Sequence, residues 1–306
     1  MKRFKWSLFS LISLLLLLAA CSNDESKQYF VKAENEKIEH IHGAGYWGEE
    51  GTPVIATHGG PFEYRGEVWY KTTRNNHDYM GFQTTKDGFY SSGHPEKGSD
   101  LKNPLGLVKS TDKGENLDKL AFYGEVDFHY LGASYETGTV YVYNEVQNPK
   151  IGTGFFYSKN KGKDWTQLEL NGMLASSIRG FDVHPSKDNI IAIYGEEGMF
   201  LSENYGKDFS LIPTKGVVTS LTFKNDSIIH SMVEDNKVSL HETNLSNNQG
   251  TILAAPSLNN ENIPIYLEVN PLTEDEMMMV TTKNDVYVSE GQEAKWNKIL
   301  SNGEME

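Results

Sequence analysis

Three pairs of residues able to bind metal recur in the first half of the chain, each split by one residue: His40 and His42, Asp78 and Met80, Asp127 and His129. On an extended strand the members of such a pair share one face. His58, in Ala56-Thr57-His58-Gly59-Gly60, follows the first pair, and His94, in Ser92-Gly93-His94-Pro95, follows the second. Imidazoles, a thioether and carboxylates in one place make a transition-metal site, with His and Met leaning toward copper and His and Asp toward zinc. His42 and His129 are expected to ligate first, with Met80 between them, followed by His58 and His94. His40, Asp78 and Asp127 are expected as outer ligands or as groups fixing the imidazole tautomers. Such binding should weaken as pH falls through roughly 6.5, where free histidine takes up its proton. Two other readings stay open: a polar pocket for another small ligand, and imidazoles that only fill space between sheets. His184 reads as such a filler and His77 as an exposed residue between structural units. Met277-Met278-Met279 reads as a buried strand rather than a thioether site.

The elements that must position these residues are short strands. From Ile38 onward Tyr, Phe and Gly are frequent, and runs such as Thr139-Val140-Tyr141-Val142-Tyr143 alternate between turn residues. One eight-residue pattern occurs three times, at intervals of 48 and 44 residues: Ser110-x-Asp112-x-Gly114-x-x-Leu117, Ser158-x-Asn160-x-Gly162-x-x-Trp165 and Ser202-x-Asn204-x-Gly206-x-x-Phe209. Ser and Asp or Asn bond turn backbone, Gly takes a left-handed conformation, and the last residue is apolar. The pattern resembles the Asp-box, or BNR repeat, of sialidase-like and sortilin-like β-propellers. There it marks the turn between the third and fourth strands of a blade and is structural, so no catalytic role follows.

Six candidate innermost strands begin near His40, Asp78, Asp127, Ile178, Val218 and Ile265, roughly 40 to 50 residues apart as four-stranded blades require. The segment from Val288 to Trp296 reads as an eroded repeat. The expectation is an all-β fold, a six-bladed β-propeller over residues 38–303. Seven blades, or a ring closed by exchanging strands between the termini, stay open. In this arrangement the start of a first strand lies beside the end of the second, so the histidines should meet on one rim of the central channel.

Lys2, Arg3 and Lys5 precede an apolar run from Trp6 to Ala20, the layout of a secretory signal. Leu18-Ala19-Ala20-Cys21 resembles the lipobox of bacterial lipoproteins, which implies cleavage after residue 20 and diacylglyceryl transfer to Cys21, the only cysteine. Residues 1–20 are thus expected as a signal peptide and 21–37 as the lipidated cysteine and a flexible tether. Localisation would be the extracytoplasmic face of the cell membrane. The whole resembles a group of Gram-positive lipoproteins often described as glycosyl hydrolases or sialidase-like. Three of the 28 Lys and Arg and none of the 42 Asp and Glu lie in the signal, which takes the formal charge from −14 to about −17. Net charge of that sign disfavours nucleic acid and anionic lipid headgroups.

Three classes of function compete. The first is a non-catalytic surface lipoprotein binding a Cu or Zn ion, or a small ligand, at the channel mouth. The second is a glycoside hydrolase acting on a glycan. Sialidases hold the substrate carboxylate with three arginines, whereas beyond the signal this chain has only Arg65, Arg74 and Arg179, of which Arg179 alone falls near the axis. Glu196, Glu197, Glu234 and Glu268 could serve as a carboxylate pair, with no spacing that singles one out. The third class is a protein-binding scaffold, which an apolar patch on one face of the ring would betray.

Overall fold

A computed structural model describes residues 28–291 and 295–305. The signal segment and Cys21 lie outside the described residues, which contain strands, turns and no helix.

The strands form six antiparallel sheets arranged as a six-bladed β-propeller. The innermost strands are Ile41–Tyr46, Asp78–Thr85, Tyr130–Ala133, Gly180–Val183, Val217–Lys224 and Pro264–Val269. Each touches the next, and the sixth touches the first, which closes the ring around an axial channel. From its inner strand each blade runs outward through three more strands in chain order.

Alternation explains why the blades stack. Successive residues of a strand point to opposite faces of its sheet, and in a propeller both faces meet a neighbour. Met278 enters the core between the sixth and first blades, while Met277 and Met279 enter the core between the fifth and sixth. Tyr141 serves the fourth-blade side of its strand, and Val140 and Val142 the second-blade side. Six separate hydrophobic cores result, one in each gap between blades.

The eight-residue repeats occupy the turns between third and fourth strands. Ser110 Oγ accepts from Gly114 N, Ser158 Oγ from Gly162 N and Ser202 Oγ from Gly206 N, at 2.8, 2.8 and 2.9 Å. The side-chain oxygens of Asp112, Asn160 and Asn204 accept from the backbone N–H four residues on, at 2.8, 2.9 and 2.9 Å. Gly114, Gly162 and Gly206 hold φ of 100°, 78° and 74°, a region that favours glycine. The final apolar residue enters the gap toward the preceding blade: Leu117 and Trp165 pack against its core, and Phe209 is part of one.

The propeller is wider than residues 38–303. Phe30–Lys32 pairs with Val68–Thr72 as a fifth, outermost strand of the first blade, and Glu304–Met305 does the same for the sixth. Part of the expected tether is therefore sheet. Among the described residues the two ends of the chain exchange no strand but meet edgewise, with Ile38 N donating to Gly303 O at 2.8 Å and Lys37 bridging to Glu304. Trp69 Nε1 donates to Ile299 O at 2.8 Å across the same junction. His77 is buried rather than exposed, its Nδ1 accepting from Glu96 N at 2.9 Å.

The Trp165 ring lies 5.6 Å from that of Phe122 at a tilt of 49° and donates from Nε1 to Gly162 O at 2.9 Å. Trp165→Ala should lower unfolding stability by about 3 kcal/mol through the cavity it leaves. Asp112→Ala should cost about 1–2 kcal/mol in turn hydrogen bonds. Denaturant unfolding of both variants checks this; an unchanged midpoint for Trp165→Ala would contradict the plug role.

Candidate metal centre

The start of each first strand and the end of each second strand open on one face of the ring, and the first two blades place histidines there. His42 sits in Ile41–Tyr46, where the pairing with Pro53–Thr57 slips by one residue between Ile41 and Gly43. Such a bulge re-aims a side chain. His58 lies just past the end of Pro53–Thr57, and Asp78 opens the inner strand of the second blade.

These three converge. His42 Nε2 is 3.1 Å from His58 Nδ1 and 3.4 Å from Asp78 Oδ1, and His58 Nδ1 is 3.0 Å from Asp78 Oδ2. One potential ligand atom from each lies within 4.8 Å of the others. Asp78 Oδ1 is buried with no hydrogen-bond partner among the described residues. His40 stacks on His42 with centroids 4.8 Å apart and lies 5.7 Å from His58. Burial lowers the His42 imidazole from 6.5 to about 4, with His58, His40 and His129 adding to the effect and Asp78 opposing it. A neutral imidazole has a lone pair to offer a metal.

The remaining expected ligands form a second group around Asp127. Both Asp127 and His129 precede the strand Tyr130–Ala133 rather than lying in it, so His129 does not hold the strand position that His42 holds. His94 Nε2 and His129 Nε2 lie 3.3 and 3.6 Å from Asp127 Oδ2, and Ser92 Oγ lies 3.3 Å from Oδ1. His94 Nδ1 faces Asn103 Oδ1 at 2.7 Å, and His129 Nδ1 faces Glu145 Oε2 at 3.3 Å. The backbone carbonyl of Met80 accepts from Ser91 Oγ at 2.8 Å, beside a register shift between Met80 and Gln83. The sequence reading missed Asn103 and Glu145, because both lie outside the alternating runs that drew attention.

His42 and His129 both line the channel mouth, a cavity of about 500 Å³. Deeper in, Asp182 and Glu268 from the fourth and sixth inner strands border this cavity and also a smaller one of about 170 Å³. Burial raises Asp182 to about 6, against hydrogen bonds from Val183 N, Phe223 N and Thr222. Burial, followed by the charge of Asp182, holds Glu268 well above the usual carboxylate value. Asp182 was legible only as a polar residue interrupting an apolar inner strand. The three arginines go to three different acids: Arg65 to Glu63, Arg74 to Glu115 and Arg179 to Glu196. His184 is buried, with Nδ1 accepting from Ser186 N and Lys187 N, each at 3.2 Å.

No protein-family model matches the chain, and neither does any curated protein. Solved structures do match. The chain is similar to a GH74 xyloglucanase from Xanthomonas campestris, with 13% identity, a TM-score of 0.56, and coverage of 89% of this chain and 47% of that one. It is similar to a GH74 enzyme from Niastella koreensis, with 14% identity, a TM-score of 0.57, and coverage of 90% and 47%. The chain thus spans about half the length of these enzymes. YCF48 bound to D1 peptide matches at 13% identity and a TM-score of 0.51, over 89% of this chain and 84% of that one. At these identities the likeness is one of fold.

A folded-state value of about 4 for His42, below the ordinary 6.5, means that the unfolded chain takes up the proton more readily. The contribution of His42 to stability should be complete above pH 6.5 and fall away as pH drops toward 4. Thermal unfolding of metal-free protein should therefore drop less between pH 6.5 and 4.5 in His42→Gln than in wild type. Parallel curves would contradict the buried, neutral state of this imidazole.

Proposed function

We propose that the chain is an exported lipoprotein, held through Cys21 on the extracytoplasmic face of a membrane. Its Asp-box propeller binds one zinc ion at the channel mouth through His42, His58 and Asp78. The observation that carries this reading is Asp78 Oδ1, buried without a hydrogen-bond partner among the described residues and 3.4 Å from His42 Nε2. A tetrahedral zinc site with bonds of about 2.0 Å has ligand–ligand edges of about 3.3 Å. The His–His separation of 3.1 Å is close to such an edge, each imidazole lies 3.0–3.4 Å from one of the two Asp78 oxygens, and one ligand atom from each residue lies within 4.8 Å of the others. Two imidazoles and a carboxylate suit zinc. Three protein ligands leave a fourth position for water or a small ligand.

A second reading, glycoside hydrolysis, draws on Asp182 and Glu268. Two carboxyl groups with raised proton affinity beside a cavity resemble an acid–base pair. The similarity to GH74 enzymes is compatible with it. The similarity to YCF48 bound to D1 peptide is likewise compatible with a scaffold role, but the exposed large hydrophobics Tyr130, Val146, Leu174, Leu211, Ile252 and Leu272 are spread over several blades and loops.

Titration of metal-free protein with zinc should raise the unfolding temperature at one equivalent. His42→Ala and Asp78→Asn should each abolish the effect, while His129→Ala should retain it. Loss in His129→Ala alone, or no zinc effect, would overturn the assignment. Cys21→Ser should release the protein from the membrane fraction; full retention of a processed variant would refute the anchor. Release of reducing sugar from xyloglucan by wild type but not Glu268→Gln would favour the second reading.

A further inference from the structure

The ring face opposite the histidines carries a groove of about 580 Å³ bordered by five lysines: Lys86, Lys109, Lys159, Lys161 and Lys163. Lys86 lies in the turn between the first and second strands of the second blade, after Asp78–Thr85. Lys159, Lys161 and Lys163 lie in the turn between the third and fourth strands of the third blade, after Gly154–Ser158. Both kinds of turn open on the face away from the strand-one starts that hold His42 and Asp78. On a chain of formal charge −14, this is a concentration of positive charge that the average does not foretell.

Two carboxylates face the groove, and one of them is already engaged. Lys109 Nζ reaches both oxygens of Asp87, at 2.8 and 2.7 Å, and Glu136 lies at the rim. Lys159 Nζ sits 3.4 Å from the centroid of the Tyr205 ring, beyond which Asp188 accepts from the Tyr205 hydroxyl at 2.8 Å. Among the described residues, Lys86, Lys161 and Lys163 pair with no carboxylate, and all three are exposed. The groove therefore keeps a surplus of positive charge.

Turn architecture does not call for these lysines. The repeat fixes Ser158, Asn160, Gly162 and Trp165; of the four positions between them, Asp164 accepts from Asn160 Nδ2 at 2.7 Å and the other three carry lysine. The positions equivalent to those three are Thr111, Lys113 and Glu115 in the second blade, and Glu203, Tyr205 and Lys207 in the fourth. Only the third blade has lysine at all three. The backbone beneath them is held by Ser158 Oγ, accepting from Gly162 N at 2.8 Å, and by Asn160 Oδ1, accepting from Asp164 N at 2.9 Å. Lys161 and Lys163 are thus borne on a rigid turn beside Lys86, while Lys159 rests on Tyr205 and Lys109 on Asp87.

We infer that this groove binds an anion carrying several phosphoryl groups. Lysine binds phosphate as a compact point charge on a flexible stem. Several separated ammonium groups favour a ligand that spreads its charge over more than one phosphoryl centre. The inference is independent of the zinc site, which lies on the other face.

Calorimetric titration of the purified full-length chain with tripolyphosphate at low ionic strength tests it. Saturable binding is expected, weakening at least about fivefold on raising salt, as screening of exposed charge requires. Lys161→Glu/Lys163→Glu should weaken binding at least about tenfold with the unfolding temperature unchanged. Lys283→Glu on the sixth blade should change it less than about twofold. Orthophosphate and citrate should each bind much more weakly than tripolyphosphate. No saturable binding, equal loss in Lys283→Glu, or citrate matching tripolyphosphate would overturn the inference.

Discussion

Every sheet of this molecule has two apolar faces, and neither can be left to water. A strand that buries Val140 and Val142 on one side and Tyr141 on the other needs a neighbour on both. A linear stack would leave its first and last faces exposed, whereas a ring leaves none. The decisive contact is therefore the one between the ends of the chain. There Met278, Val280 and Val286 of the sixth blade pack with Ile41, Ala44 and Ile55 of the first. Trp69 Nε1, Asn270 and Tyr266 add hydrogen bonds across the junction, the last from its hydroxyl to His42 O at 2.8 Å. Closure thus also fixes the backbone of a candidate ligand.

Closing the ring crowds the inner strands at the mouth. Register shifts occur near the start of four of them, at Ile41/Gly43, Met80/Gln83, Val218/Ser220 and Pro264/Tyr266. The first of these spans His42, which lies beside His58 and Asp78. A polar centre on one face and a cationic groove on the other follow from one arrangement, in which alternate turns of each blade emerge on opposite faces.

Much of the fold was legible because its signals are local. Ser158, Asn160, Gly162 and Trp165 each answer a separate need of one tight turn, so the pattern survives as sequence. Met277 to Met279 read correctly as a buried strand because period-two alternation with both faces apolar has few other meanings. Phe30–Lys32 did not show, since three residues paired along an outer edge carry too little pattern. The candidate site was legible in its residue types and its face of the ring, but not in its grouping. Nothing in the spacing of His42 and Asp78 reveals a bulge, and nothing in His94 or His129 reveals that Asn103 and Glu145 would turn them toward Asp127. Burial of His77 was hidden for a similar reason, because its acceptor role depends on Glu96 N in a loop nineteen residues away.

The proposed zinc ion is held by two imidazoles and a carboxylate at the mouth of a closed ring. X-ray absorption at the zinc edge, on protein loaded with one equivalent and dialysed, reads that coordination directly. A four-coordinate shell of nitrogen and oxygen at about 2.0 Å is expected, with outer-sphere scattering from two imidazoles. A zinc-free sample after dialysis, or a six-coordinate all-oxygen shell without imidazole scattering, would contradict it.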